Sequence, residues 1–263
     1  MHEHLVLRRP SAWRSQGRGQ ARHPHLDLPA FSSYYPLPPA RYRNARFQFV
    51  CFRADPAAVD RVLPACFEPT EDGFCVAMGV SVPWSANYGA FDESALTVKC
   101  RYQGQVGYFA VAVFLNSRSS IPAGREIYGT PKVYAEVRMG MDERVVSTDT
   151  CMAGTSVLSI RSTLQRETAP EEMPLLQPAW RLKAIPRADG KGAEVLQLVE
   201  VSKVTTDVAV HVCRAGDGVV QFNPVPVYDL SDFTPREYCG AHYLEMDYTE
   251  GWAEIVRDFL RPG

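Results

Sequence analysis

Arg46-Phe47-Gln48-Phe49-Val50-Cys51-Phe52-Arg53 decides the fold class. Phe47, Phe49 and Cys51 alternate against Arg46, Gln48 and Val50, the period of two expected of a strand with two unlike faces. Aromatic and β-branched runs of the same kind recur at 74–82, 96–102, 107–115, 133–139, 145–150, 156–164, 180–185, 195–213, 219–222 and 238–246. Helical pattern is scarce. Asp55 reads as an N-cap with Pro56 in the first helical position, opening a helix over 55–63 that Pro64 stops. A second helix is expected over 249–260, capped by Thr249. Helices do not alternate with strands, which disfavours a doubly wound parallel sheet. The pattern predicts a mainly β (α+β) chain of largely antiparallel sheet or barrel, with a few peripheral helices.

The chain has 263 residues, a formal net charge of -2, 46% apolar and 22% charged residues. It is too apolar for general disorder. It has no basic excess for nucleic acid and no apolar run of about 18 residues to span a membrane as a helix. Residues 1–43 read as a basic Pro/Arg/His-rich arm, and 44–263 as one β domain. The arm's Arg8, Arg9, Arg14, Arg18 and Arg22 are followed by no apolar stretch, so it is not a secretory signal. Its His2/His4 and His23/His25 pairs read as solvated side chains. The seven cysteines are widely spaced, without Cys-x-x-Cys or a Cys/His cluster. They read as small buried hydrophobes in a reducing cytoplasm, with no metal site. His211 and His242 read as satisfied strand residues, and Lys183, Lys191 and Lys203 as solvated. No G-x-G-x-x-G, P-loop or G-x-S-x-G run is present, so nucleotide cofactors and serine nucleophiles lose their support.

Lysine is rare here, at five positions, and Lys132 stands apart in Gly124-Arg125-Glu126-Ile127-Tyr128-Gly129-Thr130-Pro131-Lys132-Val133. A lysine at such a place can simply cap the turn before a strand. It can also be a nucleophile: a buried amine that loses its proton attacks a ketone to form a Schiff base. The protonated imine then accepts electrons from a neighbouring carbon. Arg125 and Glu126 read either as a loop-holding ion pair or as a carboxylate-binding arginine with its partner. Glu93, in Phe91-Asp92-Glu93-Ser94, reads either as a solvated turn residue or as a proton carrier.

Gly-Arg-Glu, five residues and a lysine, at 124–132, resembles the active-site signature of the acetoacetate decarboxylase superfamily. The stretches Asp207–His211 and Phe91–Ser94 look similar to family segments too, and the resemblance covers about 44–260. It implies a cone-like antiparallel β-barrel with an internal site, commonly in a homo-oligomer. It implies Lys132 as the imine-forming lysine, Glu93 as the acid/base glutamate, and Arg125 and Glu126 as the signature pair. Three departures stand out. Val133 occupies the place of a second lysine, the 74–80 strand carries no acid, and Ala45 falls in register with a family arginine. A less charged site is therefore expected, with Trp84, Tyr88, Tyr108 and Tyr128 beside Glu126 as substrate-binding candidates and Tyr102 in the same aromatic set. At least half of these aromatics are expected in the core. The reading is a cofactor-free lyase acting on a small oxo acid or related carbonyl compound, decarboxylase-like. An aldolase/dehydratase using the same lysine, and a non-catalytic ligand-binding barrel, are its alternatives.

Overall fold

β1 (Ala40–Arg53) is the spine of the fold. In the computed structural model, which describes residues 34–261, it pairs antiparallel with β3 (Phe74–Val82) on one side. On the other side lies β14 (Glu237–Glu250). The alternation read from the sequence is real: Val50 and Phe52 enter the main apolar cluster, while Phe49 and Cys51 enter a separate one on the opposite face. Asp55 caps α1 (Pro56–Val62), its carboxylate accepting from the Ala57 N–H at 3.0 Å.

The remaining elements are β2 (Glu68–Pro69), β4 (Trp84–Ser85), β5 (Phe91–Tyr102), β6 (Gln105–Leu115), α2 (Ser120–Glu126), β7 (Lys132–Tyr134), β8 (Glu136–Asp142), β9 (Val145–Met152), β10 (Thr155–Glu167), β11 (Ala179–Pro186), β12 (Ala193–Glu200), β13 (Thr205–Phe222) and β15 (Glu254–Asp258). The sheet order is β15-β12-β11-β6-β5-β3-β1-β14-β13-β10-β9-β8, with β2, β4 and β7 paired to its flanks. The hydrogen-bonded path has two ends, so the expected barrel is a curled, open sheet. Its β8 end folds back on β5 and β6, where Asn116 Nδ2 donates to the Val137 carbonyl and the Met139 N–H to Asp92. Inside the curl, Gln48 is fully buried yet satisfied. Its amide donates to Val146 O and Ser162 Oγ and accepts from Thr148, which ties β1 to β9 and β10.

Two pairings are parallel, β6 with β7 and β6 with β11. The first follows from α2. A parallel return needs a crossover of a dozen or more residues, and the chain between β6 and β7 supplies it with a helix. The sequence pattern predicts no helix there, and Pro122 and Gly124 weaken one. Pro122 lies in the first turn, where its missing N–H costs nothing.

The helix expected over 249–260 is not formed. β14 runs on to Glu250, the chain turns at 251–253, and β15 pairs with β12 at the sheet edge. Ile255 and Val256 suit that extended backbone. The strand expected over 195–213 breaks at 201–204, and β13 instead runs unbroken through 219–222. Gly216 permits this, since a Cβ there would collide with the Thr163 carbonyl. β1 also begins at Ala40, inside the segment read as the arm. Residues 1–33 of that arm, with its histidine pairs, lie outside the described residues.

All seven cysteines are free; Cys51, Cys75, Cys100 and Cys213 are buried, as small hydrophobes are, whereas Cys66 and Cys151 are half-buried and Cys239 is exposed. Burial pushes the Cys51, Cys75 and Cys100 thiols up to about 12. Trp180, on β11, is 1% exposed and packs against Phe67 and Tyr102. Trp180→Ala is expected to cost about 3–5 kcal/mol, read as a lowered denaturant midpoint with little change in slope.

Candidate active site

Lys132 begins β7, where strand alternation separates it from Val133. Val133 packs against the main apolar cluster, whereas Lys132 faces a cavity of about 210 Å³. A lysine in place of Val133 would point away from that cavity. The Lys132 amine is held on three sides. Nζ lies 3.1 Å from Glu93 Oε2, donates to Ser120 Oγ at 3.0 Å, and sits 6.0 Å from the centre of the Phe91 ring. Lys132 and Glu93 show only 15% and 18% of their side chains, so the pair is largely screened from solvent.

The local sequence explains this placement. α2 brings Ser120 to the amine from its first turn. Gly124, one turn on, leaves the room the lysine stem occupies: a Cβ there would lie 2.5 Å from Lys132 Cδ and 2.8 Å from Cε. Gly129, at φ +71°, lets the loop pass over the β11 backbone, where a Cβ would come within 2.6 Å of the Lys183 N and Cα. The glycines of this run therefore act by close approach. Gly124→Ala is expected to displace the amine and lower turnover by about 10²-fold, while far-UV circular dichroism stays unchanged.

Arg125 and Glu126 are both exposed and do not line the cavity. Arg125 donates to the Lys132 carbonyl at 3.2 Å and so holds the loop, while Glu126 accepts from Tyr35 at 2.6 Å. Tyr128 and Tyr88 do line the cavity, and the Tyr128 hydroxyl is fixed on the Gly251 carbonyl at 2.8 Å. Trp84 is exposed on the short β4, and Tyr108 packs beside Phe74 on another part of the sheet. Tyr102 is core. Lys183 is half-buried rather than solvated, and that burial lowers its amine. His211 is satisfied, 3.1 Å from Asp247, but His242 Nδ1 is buried without a hydrogen-bond partner among the described residues.

Lys132 and Glu93 are not the whole charge of the cavity. Glu250 and Arg181, two charge-bearing residues outside the motifs, reach the cavity. Glu250, at the end of β14, accepts from Tyr42 at 2.8 Å, and Tyr42 stacks on Tyr248 with ring centres 4.5 Å apart. Burial raises the Glu250 carboxyl above its ordinary range, and neighbouring Glu93 adds to this. Lys132, the Tyr42 hydrogen bond and Arg181 pull the other way. Arg181, on β11, is drawn down to about 10 by burial, against the opposing pull of Glu93 and Glu250. It remains a cation at neutral pH. The cavity thus holds two cations and two carboxyl groups, with Phe47, Met246 and Val204 as apolar wall.

A curled, largely antiparallel sheet with a lysine-bearing cavity defines the class of protein. The acetoacetate decarboxylase (ADC) family model matches residues 27–260, and the chain belongs to that family. Acetoacetate decarboxylase of Acidiphilium cryptum (strain JF-5) is 26% identical over 238 residues, 89% of this chain and 95% of the relative. In fold the chain is similar to acetoacetate decarboxylase from Legionella pneumophila subsp. pneumophila str. Philadelphia 1, with a TM-score of 0.80 at 24% identity over 88% of this chain and 92% of that one. It is also similar to the enduracididine biosynthesis enzyme MppR complexed with pyruvate, with a TM-score of 0.74 at 18% identity, over 87% and 94%.

Proposed function

We propose that the protein is a cofactor-free lyase that forms a Schiff base between Lys132 and the oxo carbon of a small oxo-carboxylic acid. One observation carries this reading. A cavity-facing lysine amine has a carboxylate at 3.1 Å and a hydroxyl at 3.0 Å, so a nucleophile and its proton acceptor stand together. Lys132 Nζ passes one proton to Glu93 and, as the neutral amine, attacks the carbonyl; a second proton then moves from nitrogen to the carbonyl oxygen. The resulting hydroxyl leaves as water, taking a proton from Glu93 or Glu250. The iminium then draws the electron pair of a bond one carbon away. In a 3-oxo acid that bond holds the carboxylate, and carbon dioxide leaves, the reaction named by the chain's acetoacetate decarboxylase relatives. In a 2-oxo acid it is a C–H or C–C bond, as suits aldol and dehydration chemistry. MppR, solved with pyruvate, supports keeping that second outcome in view.

Arg125 enters this reading as the residue that holds the loop beneath the nucleophile, and Tyr88 and Tyr128 as cavity wall. The same proposal extends to a homo-oligomer in the cytoplasm, checked by light scattering and cell fractionation. Among the described residues no helix is long and apolar enough to cross a membrane.

The test is borohydride treatment with a panel of oxo acids, acetoacetate and pyruvate included, followed by peptide mass mapping. A reduced adduct on Lys132 is the expected result, and its mass reports whether carbon dioxide or water has left. A folded protein that forms no adduct with any carbonyl compound would leave the ligand-binding barrel as the better reading.

A further inference from the structure

Arg181 is the cavity residue that the imine chemistry leaves without a task. Its Nη1 donates to the Trp180 carbonyl, but its Nε is buried without a partner among the described residues. A buried, unmatched guanidinium N–H is costly unless a ligand takes it up. Among the described residues lining the cavity, Arg181 and Lys132 are the cations, and Lys132 already has Glu93 at 3.1 Å. When Glu250 carries a proton, the cavity holds one excess positive charge and an open donor on Arg181. A monoanion completes that balance. Arg125 cannot serve it, since its guanidinium lies outside on the Lys132 carbonyl.

We propose that Arg181 binds the substrate carboxylate and that this carboxylate survives the reaction, so the substrate class is a 2-oxo acid. This rests on the Schiff-base reading and narrows it. The reason is energetic. Loss of carbon dioxide discharges a carboxylate, so a charge-assisted bond to it is stronger in the ground state than in the transition state and opposes that step. Only a carboxylate that keeps its charge gains from Arg181 throughout. In the imine of a 2-oxo acid the carboxylate sits on the imine carbon, where the iminium cannot receive its electrons. The reactive bond is then at C3. Glu93, beside Nζ, takes the C3 proton; the C–H pair becomes the C2–C3 double bond and nitrogen becomes neutral. The resulting enamine is a carbon nucleophile. It recovers a proton from Glu93, or adds to an aldehyde whose oxygen takes that proton.

The test compares 2-oxobutanoate with butanone, which have similar carbon frames with and without the carboxylate. In the wild-type protein, half-maximal borohydride trapping on Lys132 is expected at a 2-oxobutanoate concentration at least tenfold below that for butanone. In Arg181→Met, trapping of 2-oxobutanoate should weaken about ten- to hundredfold, the range of a lost hydrogen bond to a charged group. Trapping of butanone should change by a smaller factor, because loss of the Arg181 charge acts on Glu93 and Glu250 for both compounds alike, so the preference for 2-oxobutanoate over butanone is what shrinks. Arg181→Lys, which keeps a buried cation, should restore part of the preference and covers the case in which Arg181→Met does not fold. In D2O the wild-type protein should exchange the C3 protons of 2-oxobutanoate without releasing carbon dioxide. Equal trapping of both compounds by the wild type, an unaffected Arg181→Met, or release of carbon dioxide from 2-oxobutanoate would each overturn the proposal and leave the imine intact. Trapping of neither compound by the wild type would overturn the imine reading and this inference with it.

Discussion

Lys132→Met removes borohydride trapping completely and lowers turnover of any oxo-acid substrate by at least about 10³-fold. Methionine keeps the length of the stem that fills the space over Gly124 but brings no amine. Lys132 is the single lysine among the residues lining the cavity, so no neighbour can take over. The substitution also leaves Glu93 without its ion-pair partner and takes from Glu250 a charge that holds its carboxyl down. The melting temperature should therefore fall as well. Lys132→Arg separates the two effects. A guanidinium restores a cation beside Glu93 and much of the lost stability, yet it is not a nucleophile at any accessible pH. Turnover should stay near the level of Lys132→Met while the melting temperature recovers. Activity in Lys132→Arg above one tenth of wild type would show that the cation, rather than the amine, does the work, and would sink the Schiff-base mechanism.

Strand alternation made the fold class readable, because burial of one face leaves a period-two trace that tertiary context rarely erases. The trace at 46–53 and the Asp55-Pro56 helix start were both legible. α2 was not, since Pro122 and Gly124 weaken a helical pattern of only seven residues. Its formation depends on packing in the β6–β7 crossover, and short helices have little stability of their own. The run at 124–132 marked the loop that carries Lys132, and Glu93 was legible beside it. Arg181 and Glu250 were hidden for a shared reason. Arg181 alternates with Trp180 and Leu182, a pattern that a solvent-facing arginine shares, while its side chain lines a cavity within the curled sheet. Glu250 was absorbed into an expected helix. Yet Met246, Tyr248 and Glu250 share one strand face and all three line the cavity, so an acid in step with apolar residues was the available signal. Sequence period tells which face a side chain takes. It does not tell whether that face meets water, core or a polar cavity, because that depends on how distant strands curl together.

Glu250→Gln is expected to slow turnover about 10²–10⁴-fold, the usual range for loss of a positioned proton carrier, while stabilising the fold at neutral pH. Both effects come from the same burial. The Glu250 carboxyl is raised above its ordinary range chiefly by desolvation, so the folded protein holds a proton there that the unfolded chain has already released. Below the ordinary carboxylic range near pH 4.3 both states are protonated and the group contributes nothing to the pH dependence. Between that point and the raised value the folded state binds more protons than the unfolded, so stability falls as pH rises. Above the raised value the loss is complete and constant. Glutamine keeps an oxygen to accept from Tyr42 and has no proton to lose. The melting temperature of Glu250→Gln should therefore match wild type near pH 4 and exceed it increasingly toward neutral pH, with about 2–4 °C for each kcal/mol recovered. The pH–rate profile should lose the limb that reports Glu250. A variant that kept full activity, or that grew less stable than wild type as pH rose, would remove Glu250 from the proton path and leave Glu93 as the sole carboxylate serving the Lys132 amine.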